Sequence, residues 1–206
     1  MHAGTGNRID PDRDADDELG TCGCTRRSLL AGALALTLAP LQVAAQNEPS
    51  ARNARPRPGD RLVFSDGERA GQPVSVADLA IGVAPRFAYP ADAATQTVRD
   101  GSRLNQVLLV RLEDKDISDQ TRPHSAEGVV AYSAICTHYG CPVTLMHENK
   151  RAVICNCHGS TFDAGNNGEI TVGPATRRLA ILPIKSVDGA LIVAAPFIGR
   201  LGPPQE

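Results

Sequence analysis

Cys136-Thr137-His138-Tyr139-Gly140-Cys141 and Cys155-Asn156-Cys157-His158-Gly159-Ser160 are the stretches from which this chain is best read. Written as one pattern they give C-x-H, sixteen residues, then C-x-x-H. Thiols and imidazoles together are the soft and borderline donors taken by iron and zinc. A cysteine and a histidine two residues apart reach one small centre only from a tight loop. Each stretch follows an apolar run and holds a glycine, Gly140 or Gly159, as such a loop requires. Zinc sites usually keep two cysteines in one knuckle and two histidines in another. Here each stretch supplies one of each, with a further cysteine, Cys141 or Cys157. A c-type haem needs C-x-x-C-H, which does not occur.

Outward from these stretches, short apolar runs alternate with turn residues. They are Leu62-Val63-Phe64, Val107-Leu108-Leu109-Val110, Val129-Val130-Ala131-Tyr132, Ala152-Val153-Ile154 and Leu179-Ala180-Ile181-Leu182. Such runs predict strands. Asp188-Gly189, between Ile184–Val187 and Ala190–Val193, predicts a two-residue hairpin. Val76 to Ile81 reads as a short helix or turn. No helical periodicity is sustained and no internal repeat is present. The 19 Gly and 15 Pro favour a loop-rich β protein. The expected fold class is all-β, an antiparallel sandwich or small barrel.

Composition narrows the function. Only 3% of residues are aromatic and none is Trp, which argues against an aromatic platform for nucleic acid. The first 45 residues hold four basic and six acidic residues, so the remainder carries 17 of each and is neutral. No basic run marks DNA, RNA or anionic lipid as a partner.

Residues 1–45 read as targeting rather than fold. Arg26-Arg27 precedes the Ala/Leu-rich run from Leu29 to Ala45, in the manner of a bacterial twin-arginine export signal. Val43-Ala44-Ala45 offers a cleavage site after Ala45. The alternative is a retained membrane anchor, for which about 17 residues interrupted by Pro40 is near the lower limit. Either way the folded part lies outside the cytoplasm, in the periplasm. Residues 46–60, rich in Pro, Arg and Asn, read as an extended linker, and the globular domain as residues 61–206.

The two stretches resemble the cluster-binding boxes of the Rieske family. The resemblance implies one [2Fe–2S] cluster per chain on two loops, with Cys136 and Cys155 on one iron and His138 and His158 on the other. Neutral imidazoles in place of two thiolates leave the cluster easier to reduce. The resemblance also implies a disulfide between Cys141 and Cys157, as in high-potential members, which suits an oxidising compartment. It matches Ser160 to a serine whose hydroxyl donates to a cluster sulfide. Phe162 stands where respiratory members have a tyrosine that donates to a ligand thiolate. Gly173-Pro174-Ala175 resembles the proline loop that covers the cluster. Asn156 departs from the family at a position where proline is common.

One-electron transfer within a larger complex is the function the resemblance implies, with no substrate chemistry expected from this chain alone. The layout from about Arg61 to Gly202 resembles the small subunit of arsenite-oxidase-type molybdenum enzymes. Ala88-Tyr89-Pro90-Ala91-Asp92 and Ile198-Gly199-Arg200-Leu201-Gly202 carry that likeness. The partners it implies are a molybdenum subunit and a cytochrome-type acceptor. The alternatives are the iron–sulfur subunit of a quinol-oxidising cytochrome bc complex, partnered by cytochrome b, and a stand-alone periplasmic carrier.

Overall fold

The computed structural model describes residues 49–204. The run from Leu29 to Ala45 lies outside them. Among the described residues no helix is long and apolar enough to cross a membrane.

The chain opens with a one-turn helix α1 (Pro49–Asn53) and then forms ten strands. These are β1 (Arg61–Phe64), β2 (Arg86–Ala91), β3 (Val107–Arg111), β4 (Val129–Ser133), β5 (Leu145–Met146), β6 (Ala152–Cys155), β7 (Ser160–Asp163), β8 (Glu169–Val172), β9 (Ile184–Val187) and β10 (Ala190–Val193). Two antiparallel sheets result, one ordered β4-β3-β2-β1-β10-β9 and one ordered β5-β6-β7-β8. The fold is therefore all-β and antiparallel, as expected. The β9–β10 hairpin turns on Asp188 and Gly189, at φ of 52° and 78°, with Val187 paired to Ala190.

The strands β3 and β4 decide where the core sits. Successive side chains of a strand point to opposite faces. Leu108, Val110, Val130 and Tyr132 enter a core shared with the small sheet, while Val107, Leu109, Val129 and Ala131 enter a second core on the other side. Burial on both faces explains why these runs are continuously apolar rather than alternating. The buried Tyr132 hydroxyl donates to the Ala164 carbonyl at 2.7 Å and so ties the large sheet to the loop after β7. Burial holds its phenol well above the usual range.

Three expectations are corrected. Leu179–Leu182 is buried but is not a strand. Its groups bond in turn to Ala131, Ser133 and Ile198, so no single ladder forms. Strands β2, β7 and β8 were not among the expected strands: β2 contains Pro90, which argues against a strand, and β7 and β8 are rich in Ser, Thr, Asp and Glu. The described part of the expected linker, 49–60, is docked rather than extended. Asp60 accepts from Arg99 Nε at 2.7 Å and Nη2 at 2.9 Å, and both side chains are under 5% exposed. Asn105 donates to the Ala54 carbonyl and accepts from Arg55. The Asp60–Arg99 pair and the Asn105 bonds therefore hold the segment in place. Removing one member of a buried ion pair costs about 3–5 kcal/mol.

Candidate metal centre

Two loops meet at one end of the small sheet. The first joins β4 to β5 and the second joins β6 to β7. Their backbones repeat one device. Gly140 N–H donates to the Cys136 carbonyl at 3.0 Å, and Gly159 N–H donates to the Cys155 carbonyl at 2.9 Å. Each closes a turn of five residues on a glycine at positive φ, 75° and 73°. That conformation costs glycine little. The turn leaves the intervening residues, His138 in one loop and Asn156 to His158 in the other, free to present their side chains at the tip.

The loops are joined by a disulfide between Cys141 and Cys157, with Cα atoms 6.5 Å apart. Cys136 and Cys155 stay free and buried. The sulfurs of Cys141, Cys155 and Cys157 lie within 4.8 Å of one another. Two of those three are consumed by the disulfide, so that trio is not a metal site.

The four residues expected as ligands are brought to the same tip. Cys136 and Cys155 are adjacent and 1% exposed. Burial pushes the Cys136 thiol up, against the pull of the His138 N–H, which approaches its sulfur at 3.5 Å, and of the Ser160 hydroxyl. The His138 and His158 rings lie 4.8 Å apart, edge to face. His158 is exposed and His138 half-buried. The His138 Nδ1 is buried and, among the described residues, has no hydrogen-bond partner. A buried imidazole nitrogen left unpaired is costly. A metal ion on that atom supplies the missing partner. Two buried thiols, two adjacent imidazoles and one orphaned nitrogen thus fit a cluster with mixed Cys/His ligation.

The surroundings hold the tip in place. Ser160 is fully buried, and its oxygen accepts from Ala175 N–H at 3.1 Å while its proton serves Cys136. Gly173 passes so close that a Cβ there would sit 2.6 Å from the Ser160 Cα. The segment Gly173–Ala175 therefore flanks the second loop, with Pro174 on its exposed side. Phe162 is fully buried in the same core as both free cysteines. Sequence reasoning passed over three contributors. Tyr139 is 72% exposed and packs on His138 at 4.1 Å and His158 at 5.8 Å. The Thr137 hydroxyl donates to the Arg177 carbonyl at 2.5 Å, and Arg103 donates to the Gly140 carbonyl. Tyr139 was legible as an aromatic inside the first box. Arg103 and Arg177, 37 and 40 residues from their partners, carried no local signal.

A small all-β domain with this donor set at its tip defines a class of iron–sulfur protein. The chain matches the Rieske [2Fe–2S] domain over residues 91–183. It is 32% identical over 164 residues to a cytochrome bc1 complex Rieske iron–sulfur subunit of Streptomyces lividans, a match covering 74% of this chain and 96% of that one. This chain belongs to the Rieske [2Fe–2S] family and binds a [2Fe–2S] cluster. It is also 32% identical over 192 residues to a subunit of the same description from Streptomyces coelicolor, covering 86% of this chain and 53% of the relative. The chain thus spans about half the length of that relative. Among solved structures, the plasma membrane Rieske protein of Synechocystis PCC 6803 is similar at 27% identity and a TM-score of 0.32, over 44% of this chain and 77% of that one.

Proposed function

We propose that this chain is the iron–sulfur subunit of a quinol-oxidising cytochrome bc-type complex, moving one electron at a time, with Cys136, His138, Cys155 and His158 as the cluster ligands. The observation that carries the reading is the match to the Streptomyces lividans bc1 subunit, which covers 96% of that subunit and 74% of this chain. The molybdenum-enzyme layout read from the sequence draws no support from the relatives described above. When bound, such a cluster takes up and returns a single electron at a potential of roughly −150 to +300 mV.

The chain's own residues set the conditions. Buried Cys136 and Cys155 keep water from the inner side. The His138 N–H and the Ser160 hydroxyl aim partial positive charge at the Cys136 sulfur. Donors to sulfur favour the more negative, reduced state. His158, exposed at the tip, offers the short path for an electron and an imidazole edge for a quinol hydroxyl. The disulfide and the twin-arginine-like leader support a location on the outer side of the cytoplasmic membrane. A cytochrome b and a cytochrome-type acceptor are the partners in this reading.

Natively matured protein should contain iron and acid-labile sulfide in equal amounts and give the low average g of Cys/His ligation when reduced. Membranes from cells lacking this chain should lose quinol-dependent cytochrome reduction. Zinc in place of iron would overturn the ligand reading, and undiminished quinol oxidation would overturn the complex.

A further inference from the structure

Beside the cluster tip lies a cavity of about 410 Å³ lined by three arginines, Arg55, Arg177 and Arg200. Its apolar surface comes from residues such as Leu104 and Phe197. Pro203 lines this cavity and also the adjoining cleft of about 310 Å³ that contains His138 and Tyr139. Pro203 packs against Gly140 as well, where an added Cβ would lie 3.3 Å from its Cδ. The arginine cavity and the histidine cleft are therefore neighbours across one residue.

Among the described residues the positive charge here is uncompensated. Among the described residues, no carboxylate forms an ion pair with Arg55, Arg177 or Arg200. Three described acids of the adjoining segments are already taken, Asp60 and Asp92 by Arg99 and Asp100 by Arg52. Two of the three arginines are held in place by the fold. Arg55 donates to Asn105 at 3.0 Å. Arg177 donates to the carbonyls of Gly202 at 2.9 Å and Arg200 at 3.4 Å, and its own carbonyl anchors Thr137 of the first loop. The Arg200 guanidinium has no hydrogen-bond partner among the described residues, and the residue is exposed. Fixed guanidiniums lose less freedom on meeting a carboxylate than free ones do. From Arg61 onward the chain has no strong net charge to explain the concentration of cations here.

We propose that this cavity is the docking site for an acidic segment on the surface of the protein that exchanges electrons with this chain, an apolar side chain flanked by carboxylates. The proposal rests on the electron-transfer reading and adds the partner's chemistry. The three arginines match the carboxylates, the Leu104 and Phe197 floor matches the apolar side chain, and the shared Pro203 wall places the docked segment beside His138. Charge of this kind steers association and makes it salt-dependent.

The test uses the cluster-loaded full chain. Calorimetry with poly-L-glutamate should show binding that weakens with salt, and poly-L-lysine should show none. Arg200→Gln should weaken binding about fivefold, as for one rim charge, while Arg200→Lys, which keeps the charge, should restore most of it. In stopped flow, one electron passes from the reduced chain to hexacyanoferrate(III), giving hexacyanoferrate(II) with no bond made or broken. Arg200→Gln should slow that reaction several-fold without slowing oxidation by the cationic tris(phenanthroline)cobalt(III). Equal binding of poly-L-glutamate by Arg200→Gln and wild type would overturn the proposal. So would benzoate competing at matched carboxylate concentration, since the cavity would then hold a small organic anion. A chain that fails to load iron still binds poly-L-glutamate if the docking proposal is right, so the two readings fail separately.

Discussion

The disulfide between Cys141 and Cys157 closes a loop spanning a sequence separation of 16 that contains β5, all of β6 and Cys155. In the chain-entropy treatment, a cross-link of that span removes about 3 kcal/mol of freedom from the unfolded chain. The double variant Cys141→Ala/Cys157→Ala loses that amount. Double replacement is required because a lone partner would be a free thiol within 4.8 Å of the Cys155 sulfur. Such a thiol can form the wrong disulfide and remove one of the proposed ligands. With a slope of about 4 kcal/mol/M in guanidinium, the unfolding midpoint of the double variant falls by about 0.7 M. The assay is anaerobic unfolding of cluster-loaded protein, followed by cluster absorbance and by far-ultraviolet circular dichroism. Cys141→Ala alone, matured under oxidising conditions, retains less iron than the double variant. A double-variant midpoint within about 0.2 M of wild type would refute the reasoning. A single variant holding as much iron as the double would refute the mispairing argument.

Three other outcomes follow from the site. Phe162→Tyr places a hydroxyl in the core that holds Cys136 and Cys155, and one added donor to a thiolate raises the midpoint potential by about 40 mV; redox titration showing no rise removes the account. Gly173→Ala forces a Cβ against the Ser160 Cα from a φ of +96°. It lowers stability by about 3 kcal/mol and, by displacing the Ala175-to-Ser160 bond, lowers the potential, both readable on the same purified protein. Asp78 is held down to about 2, chiefly by the Arg69 guanidinium. A depressed carboxyl stabilises the fold above its unfolded value of 3.8 and loses that contribution as pH falls toward 2. The thermal-midpoint gap between wild type and Arg69→Gln therefore closes between about pH 4 and pH 2, and a gap constant with pH contradicts the assignment.

How much was legible depended on how local the determinant was. The two boxes could be read because each closes its own turn, Cys136 to Gly140 and Cys155 to Gly159, within five consecutive residues. The β9–β10 hairpin was legible for the same reason, since Asp188-Gly189 sets its turn from two residues. Runs buried on both faces, such as Val107–Val110, announced themselves by unbroken apolarity. Strands β7 and β8 did not, because β7 buries the polar Ser160 and Thr161 beside Phe162 and β8 is largely exposed. Leu179–Leu182 misled in the opposite sense. Apolarity there reports burial, and burial does not require a ladder.

The residues from 49 to 60 show the same limit. Their Pro and Arg content describes an extended linker until Asp60 meets Arg99, 39 positions away.

The sequence by itself determined the donor set, its grouping into two glycine-closed loops and the antiparallel β class, because turns, strand runs and ligand types act over a few neighbouring residues. Only the tertiary structure decided that His138 Nδ1 is buried without a partner, that Tyr139 lies across both imidazoles, and that Arg55, Arg177 and Arg200 converge beside them. Those facts depend on which distant segments the packing of two sheets brings within a few ångströms. No local pattern encodes that distance.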